Sequence, residues 1–353
     1  MIDRKPIRVL AVGLGNMGKS HALAYHNDPD FEIVGLVNRS KVDLPEDLHG
    51  YTVHHSYEVA LAEFKPELVS INTYSDTHAD YSIMAMEAGA HVFVEKPIAT
   101  TVADAKRVAD TAKRLKKKLV VGYILRHHPS WITLIEKARD LGGPYVFRLN
   151  LNQQSSGPTW QTHKSLMKTT SPIVDCGVHY VDVMCQITDA KPVKVHGMGL
   201  RMSDEISPDM YNYGHFQVIF EDKSVGWYEA GWGPMMSETA FFVKDIISPN
   251  GSVSIVVPEG TKSDDVDAHT KTSLIRIHSA EIDASGEFKK LDENLSMADE
   301  PGHDELCARE QAYMARVIYE DLDTYRHVDD AVQSLSICLA ADESIRTGVE
   351  IEL

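Results

Sequence analysis

The sequence predicts an α/β fold: a doubly wound parallel-sheet domain, then an α+β domain with a mostly antiparallel sheet. Three observations predict it. Short apolar runs alternate with stretches of helical spacing from residue 7 to about 125. A glycine-rich turn separates the first run from the first helix. Beyond about residue 126 the runs follow one another with turn residues, not helices, between them.

The apolar runs lie at 7–12, 31–37, 68–72, 91–94 and 119–124. Continuous apolar runs are what strands buried on both faces require. Helical spacing occupies 17–27, 57–64, 78–88 and 102–116, the last ending in bases that suit a helix C-terminus. In the second half, strands are expected at 144–154, 192–200, 211–232, 252–257 and 273–279, with Phe220–Ser224 as a hairpin connection. A helix is expected at 173–188, two more at 303–322 and 329–346, and a polar loop at 258–271. The expected domains are 1–125 and 126–353, with the closing helices 303–346 able to pack back on the first.

A chain of 353 residues suits two domains. Its formal charge of −17 argues against nucleic acid, which demands a basic face, and against an anionic membrane surface. No run of about 18 apolar residues is present to span a bilayer. Cys176, Cys185, Cys307 and Cys338 are scattered, which is reduced-compartment usage, and the N-terminus lacks a signal-peptide pattern. The expected location is cytoplasmic.

Gly13-Leu14-Gly15-Asn16-Met17-Gly18 is a G-x-G-x-x-G between a predicted strand and a predicted helix. The first glycine permits the turn, the second lets backbone amides approach a pyrophosphate, and the third lets helix and strand pack closely. Asn16 and Met17 open the helix beneath that anion. The next strand ends in Asn38-Arg39-Ser40, where a ribose-reading carboxylate would exclude a 2′-phosphate. A neutral Asn, an Arg and a Ser can hold that phosphate, so NADP(H) is expected ahead of NAD(H); Arg39 could also stack on adenine with either cofactor.

The run Val92-Phe93-Val94 stops at Glu95-Lys96-Pro97. The carboxyl ends of parallel strands are where α/β proteins bind ligands, so Lys96 is placed for use in the cofactor crevice. An ion pair with Glu95 or a solvated loop lysine remains the plainer alternative. Asp175, His179 and Asp182 fall at i, i+4 and i+7 on one helical face, an arrangement suited to general acid–base work. A satisfied core histidine is the commoner fate. The spacing alone permits a metal pair, but no H-E-x-x-H and no recognisable third ligand accompany it, so no metal is expected.

The Gly13–Gly18 turn, "EAGAHVFVEKP" at 87–97, "DCGVHYVD" at 175–182 and the ending "TGVEIEL" together resemble the Gfo/Idh/MocA oxidoreductases over nearly the whole chain. The resemblance implies an N-terminal Rossmann domain and a C-terminal domain whose large open-faced sheet joins subunits into a dimer or tetramer. It implies that Lys96 lies beside the nicotinamide and the substrate hydroxyl, that His179 is the acid–base residue, and that Asp175 binds substrate or orients the ring. Tyr74, His78 and Glu95 join Lys96 on the cofactor side, although Tyr74-Ser75-Asp76 departs from the family's usual Thr-Pro-Asn. Arg126, His128, Trp160, His163 and Lys164 are the remaining substrate candidates, suited to sugars, inositols or their derivatives. The implied reaction is reversible oxidation of a secondary alcohol. A redox-neutral NAD-dependent glycosidase and a non-catalytic nucleotide sensor are the alternatives on the same scaffold.

Overall fold

The computed structural model describes residues 5–238, 242–257, 259–263 and 272–353. Most of the loop expected at 258–271 lies outside the described residues. The chain divides into two compact units, residues 1–127 with 302–332, and residues 128–301 with 333–353.

In the first unit, six parallel strands run β1 (Ile7–Val12), β2 (Phe31–Val37), β3 (Val53–His54), β4 (Leu68–Ile71), β5 (His91–Glu95) and β6 (Leu119–Gly122). Their spatial order is β3-β2-β1-β4-β5-β6, which reverses direction at β1. That order is the doubly wound Rossmann topology, whose ligand crevice opens outside the carboxyl ends of the strands at the reversal. Helices α1 (Asn16–Asn27), α2 (Tyr57–Phe64), α3 (His78–Glu87) and α4 (Val102–Leu115) supply the crossovers. Ser56 caps α2 and Thr101 caps α4 by accepting from the backbone N–H groups of Val59 and Asp104.

A late segment, α8 (His303–Tyr319), completes this core: Met314, Ala315 and Val317 are buried with Ile7, Val9, Tyr25, Phe31 and Phe93. The run expected at 119–124 is shorter than its apolar residues suggest, because Ile124–His127 turns into a 3-10 helix.

The second unit carries a nine-stranded sheet. It is built from β7 (Val146–Gln154), β8 (Pro192–Leu200), β9 (Tyr213–Phe220), β10 (Val225–Gly233), β11 (Lys244–Ser248), β12 (Gly251–Val256), β13 (Leu274–Ser279), β14 (Glu293–Ser296) and β15 (Ile351–Glu352). The order is β14-β13-β12-β11-β7-β10-β9-β8-β15, antiparallel except for the parallel pair β7–β10. Residues 220–224 form the expected connection: the Lys223 N–H donates to the Phe220 carbonyl and the Phe220 N–H to that of Ser224.

One face of this sheet packs on α7 (Pro172–Thr188), where the ring of Tyr180 stacks on Tyr228 at 5.2 Å and meets Trp131 at 5.6 Å. Trp131 belongs to α5 (Pro129–Leu141), which the sequence analysis does not anticipate, nor does it anticipate α6 (Gly157–Leu166). The last helix, α9, spans Tyr325–Thr347.

Candidate active site

The glycine turn of the first unit is shaped by what a Cβ would meet. At Gly13, where φ is +86°, it would come within 2.6 Å of the Asn72 carbonyl oxygen, and at Gly18 within 1.9 Å of the Gly13 oxygen. At Gly15 it would meet nothing within 4 Å. The first and third glycines are therefore demanded by backbone packing against backbone, while the second faces open space. Gly15 is also the N-cap of α1 and offers no side-chain cap, and the first turn holds no acid. Four orphan N–H groups and the positive end of a twelve-residue helix meet that space. These are the features a dinucleotide pyrophosphate needs, so the turn fits the cofactor the motif implies.

Asn38 braces the turn from β2: its Oδ1 accepts from the Leu14 N–H at 3.0 Å and its Nδ2 donates to the Ser40 carbonyl at 2.8 Å. Arg39 and Ser40 are exposed beside it, and Tyr74 is 65% exposed after β4. Asn16 is exposed and Met17 half-buried at the start of α1.

Lys96 follows β5 directly and is half-buried. Glu95 turns inward instead. Its Oε1 lies 2.7 Å from His21 Nε2, and its Oε2 accepts the Lys96 backbone N–H at 3.1 Å. Burial works to raise the Glu95 carboxyl, but the hydrogen bond from His21, with the Lys96 charge nearby, holds it below the usual range. His78 is buried too, its Nδ1 2.7 Å from the Pro97 carbonyl and its Nε2 2.9 Å from that of Thr73. Burial lowers its proton affinity against those two carbonyls. The ring ties the loop after β5 to the loop after β4. Glu95 and His78 thus brace the crevice wall, both largely withdrawn from its surface.

Behind Glu95, His21, Cys307 and Glu310 bring potential metal-ligand atoms within 4.8 Å of one another. Both ring nitrogens of His21 are already engaged, by Glu95 and by Gln311 Nε2 at 2.9 Å. Burial first, then the Glu95 charge, pushes the Glu310 carboxyl well above the usual range, so it keeps its proton.

In the second unit, α7 presents Asp175, His179 and Asp182 with the expected spacing. His179 is largely buried, Asp175 is half-buried and Asp182 is fully buried, accepting from Gln186 Nε2 at 3.0 Å. Around Asp175 the structure gathers residues that local sequence does not reveal. Trp232 Nε1 donates to Gln153 Oε1 at 2.9 Å, and the His163 ring stacks on Trp232 at 4.5 Å with 9° between planes. His163 Nδ1 lies 2.9 Å from Ser155 Oγ. An aromatic face with amide and carboxylate groups beside it suits a hydroxylated ring.

Other substrate candidates have different duties. His128 is fully buried, with Nε2 2.8 Å from Glu300. Arg126 donates to Asp330 at 2.8 Å with little exposure on either side chain. Trp160 Nε1 donates to Glu205 at 3.2 Å, and Lys164 holds the other Glu205 oxygen at 2.5 Å. That pair anchors α6, from which His163 feels the charge of Asp175.

Two stretches of the chain match family descriptions. Residues 7–123 match the GFO/IDH/MocA oxidoreductases with an NAD-binding Rossmann fold, and residues 134–243 match the GFO/IDH/MocA C-terminal domain. The chain belongs to the GFO/IDH/MocA family. D-glucoside 3-dehydrogenase of Escherichia coli is 30% identical over 237 residues, 65% of this chain and 63% of that protein. Inositol 2-dehydrogenase of Salmonella typhimurium is 26% identical over 195 residues, 52% of this chain and 56% of that enzyme. Each match thus spans less than two thirds of the relative. Among solved structures, the UDP-N-acetylglucosamine 3-dehydrogenase GnnA of Acidithiobacillus ferrooxidans superposes with a TM-score of 0.75 at 18% identity, over 97% of this chain and 99% of that one. This last likeness speaks to the fold of the GFO/IDH/MocA chain.

Burial sets an acid limit on this member of the family. His91, His127 and His163 are each lowered to about 4, chiefly by burial, with Lys117 and Lys118 adding to the effect at His91, Arg126 at His127, and Asp175 opposing it at His163. The unfolded chain takes up these protons near pH 6.5, before the folded chain does. Stability is therefore full above about 6.5 and falls as pH drops toward 4. Urea unfolding at pH 7.5 and 5 reads the loss directly, and His163→Phe is expected to make the slope shallower.

Proposed function

We propose that this chain is an NAD(P)-dependent dehydrogenase or reductase that interconverts a secondary alcohol and a ketone on a sugar, an inositol or a sugar derivative. The observation that carries the reading is the open space over Gly15, framed by two glycines that the backbone itself requires. The named relatives, a glucoside dehydrogenase and an inositol dehydrogenase, support the substrate class.

A nicotinamide bound in the crevice would accept hydride from the carbinol carbon. The Lys96 ammonium donates a hydrogen bond to the substrate oxygen and stabilises negative charge developing there. His179 takes the hydroxyl proton, and Asp175 orients the substrate with His163, Trp232 and Gln153 around it. Asn38 is committed to bracing the turn, so Arg39 and Ser40 take the 2′-phosphate, which favours NADP(H) over NAD(H).

Val146, Met198, Leu200, Ile219 and Val225 stand exposed on β7 to β10, which supports association of copies through the outer sheet face. Among the described residues, no helix is long and apolar enough to cross a membrane. The four cysteines are buried and none is joined in a disulfide, which supports a reducing compartment, the cytoplasm.

The reading is tested by reduced-nicotinamide absorbance, offering NADP⁺ and NAD⁺ against aldoses, inositols, sugar acids and glycosides. Reduction of NADP⁺ by one sugar class is expected. A signal with NAD⁺ alone contradicts the cofactor assignment, and glycoside cleavage with no net absorbance change favours redox-neutral hydrolysis.

A further inference from the structure

We propose that His21 and Gln311 are positioning residues for Lys96, acting through a buried, one-way chain of hydrogen bonds that ends on the Lys96 backbone. The proposal rests on the catalytic reading of Lys96 given above. The chain starts at Tyr25, whose hydroxyl donates to Gln311 Oε1 at 2.5 Å. Gln311 Nε2 meets His21 Nδ1 at 2.9 Å, His21 Nε2 meets Glu95 Oε1 at 2.7 Å, and Glu95 Oε2 accepts the Lys96 N–H at 3.1 Å. Tyr25, His21 and Gln311 are fully buried, and Glu95 is 6% exposed.

Chemistry sets the direction. An ionised carboxylate only accepts, so the His21 nitrogen facing Glu95 carries the proton. His21 Nδ1 then offers a lone pair and needs a donor, which the amide nitrogen of Gln311 supplies. The Gln311 oxygen in turn needs a donor, which is the Tyr25 hydroxyl. Burial pushes that hydroxyl's proton loss far above the usual range, so it remains a donor. Reversing any one bond sets two acceptors or two donors face to face.

Glu310, protonated beside Glu95, leaves Glu95 as the ionised carboxylate of the group. On the other side His78 meets the Pro97 carbonyl. Residues 95–97 are therefore held by side chain, N–H and C=O at once, and misplacement of a catalytic group by about 1 Å can cost about 10²-fold in rate. His21 and Gln311 lie 290 residues apart, so the late helix α8 contributes to a site whose motifs are all N-terminal to it.

Two measurements on the full chain test this. The ¹⁵N spectrum of histidine-labelled protein at pH 7, with His21 assigned by its loss in His21→Gln, should show the proton on Nε2 and a bare Nδ1. A proton on Nδ1 overturns the chain. Gln311→Met removes the donor to Nδ1 without adding an acceptor, so the Nδ1 resonance should shift downfield toward that of an imidazole nitrogen with no hydrogen bond; an unchanged shift overturns the role of Gln311. In turnover, Gln311→Met and His21→Leu should each lower kcat about tenfold with cofactor Kd and substrate KM within about twofold. His21→Gln, which keeps a donor for Glu95, should retain most activity. Wild-type kcat in His21→Leu overturns the positioning role. Lys96→Met is run beside them: if it turns over normally the catalytic reading fails, whereas an inactive Lys96→Met beside a fully active His21→Leu sinks only the present inference.

Discussion

Lys96→Ala and His179→Ala are each expected to lose about 10²–10⁴-fold in kcat while still binding cofactor. In the proposed mechanism Lys96→Ala removes the cation that steadies the substrate oxygen as charge develops, and a donor aimed at such charge is among the larger single contributions to a rate. In the same mechanism His179→Ala removes the group proposed to take the hydroxyl proton, and water in its place is neither positioned nor basic enough. The two should differ in pH dependence. With His179 gone the rate should recover as pH rises, because hydroxide then competes for the proton, whereas Lys96→Ala should gain little. Wild-type turnover in either variant would remove that residue from the mechanism. A large fall in melting temperature would point to a structural role instead.

The glycine turn gives the second large effect, and here two neighbouring substitutions should separate. Gly18→Ala would place a methyl 1.9 Å from the Gly13 oxygen and 2.8 Å from its carbonyl carbon, so β1 and α1 would have to part. Overpacking of that kind costs about 1–3 kcal/mol, and the melting temperature should fall by several degrees even without ligand. Gly15→Ala meets nothing within 4 Å and should leave the free protein's melting temperature almost unchanged. Its methyl would occupy the space the pyrophosphate needs, so cofactor affinity should fall by roughly 10-fold or more. Calorimetry and a fluorescence titration with reduced cofactor read the two effects separately. Undiminished affinity in Gly15→Ala would show that nothing binds over the turn.

These contrasts show what local sequence could and could not reveal. Five strands and the crossovers of the first unit were legible because buried parallel strands must be continuously apolar and helices of clear periodicity lie between them. Strand β3 is two half-buried residues, too short to show as a run. Helix α5 was legible too, with Pro129 at its start and Trp131, Leu134, Ile135 and Ala138 at helical spacing, but the reading of Arg126 and His128 as substrate candidates drew attention from it. Helix α6 carries little pattern of its own. It is held by Trp160 and Lys164 on Glu205 and by His163 on Trp232, contacts that only the fold creates.

The same holds at the candidate site. Lys96, His179 and the glycines announce themselves through motifs. Gln153, Trp232, His21 and Gln311 do not, since each acts through a partner far away in sequence. For His128 and Arg126, too, local sequence does not reveal the carboxylate that each meets.

The most direct test of the central claim follows a deuterium atom. Wild-type protein is supplied with oxidised cofactor and with glucose or inositol deuterated at its carbinol carbons, and the reduced nicotinamide is examined by mass spectrometry. Hydride transfer predicts one deuterium at the nicotinamide C4 in each molecule of reduced cofactor. Reduced cofactor without deuterium, or consumption of substrate with no reduced cofactor formed, would contradict it.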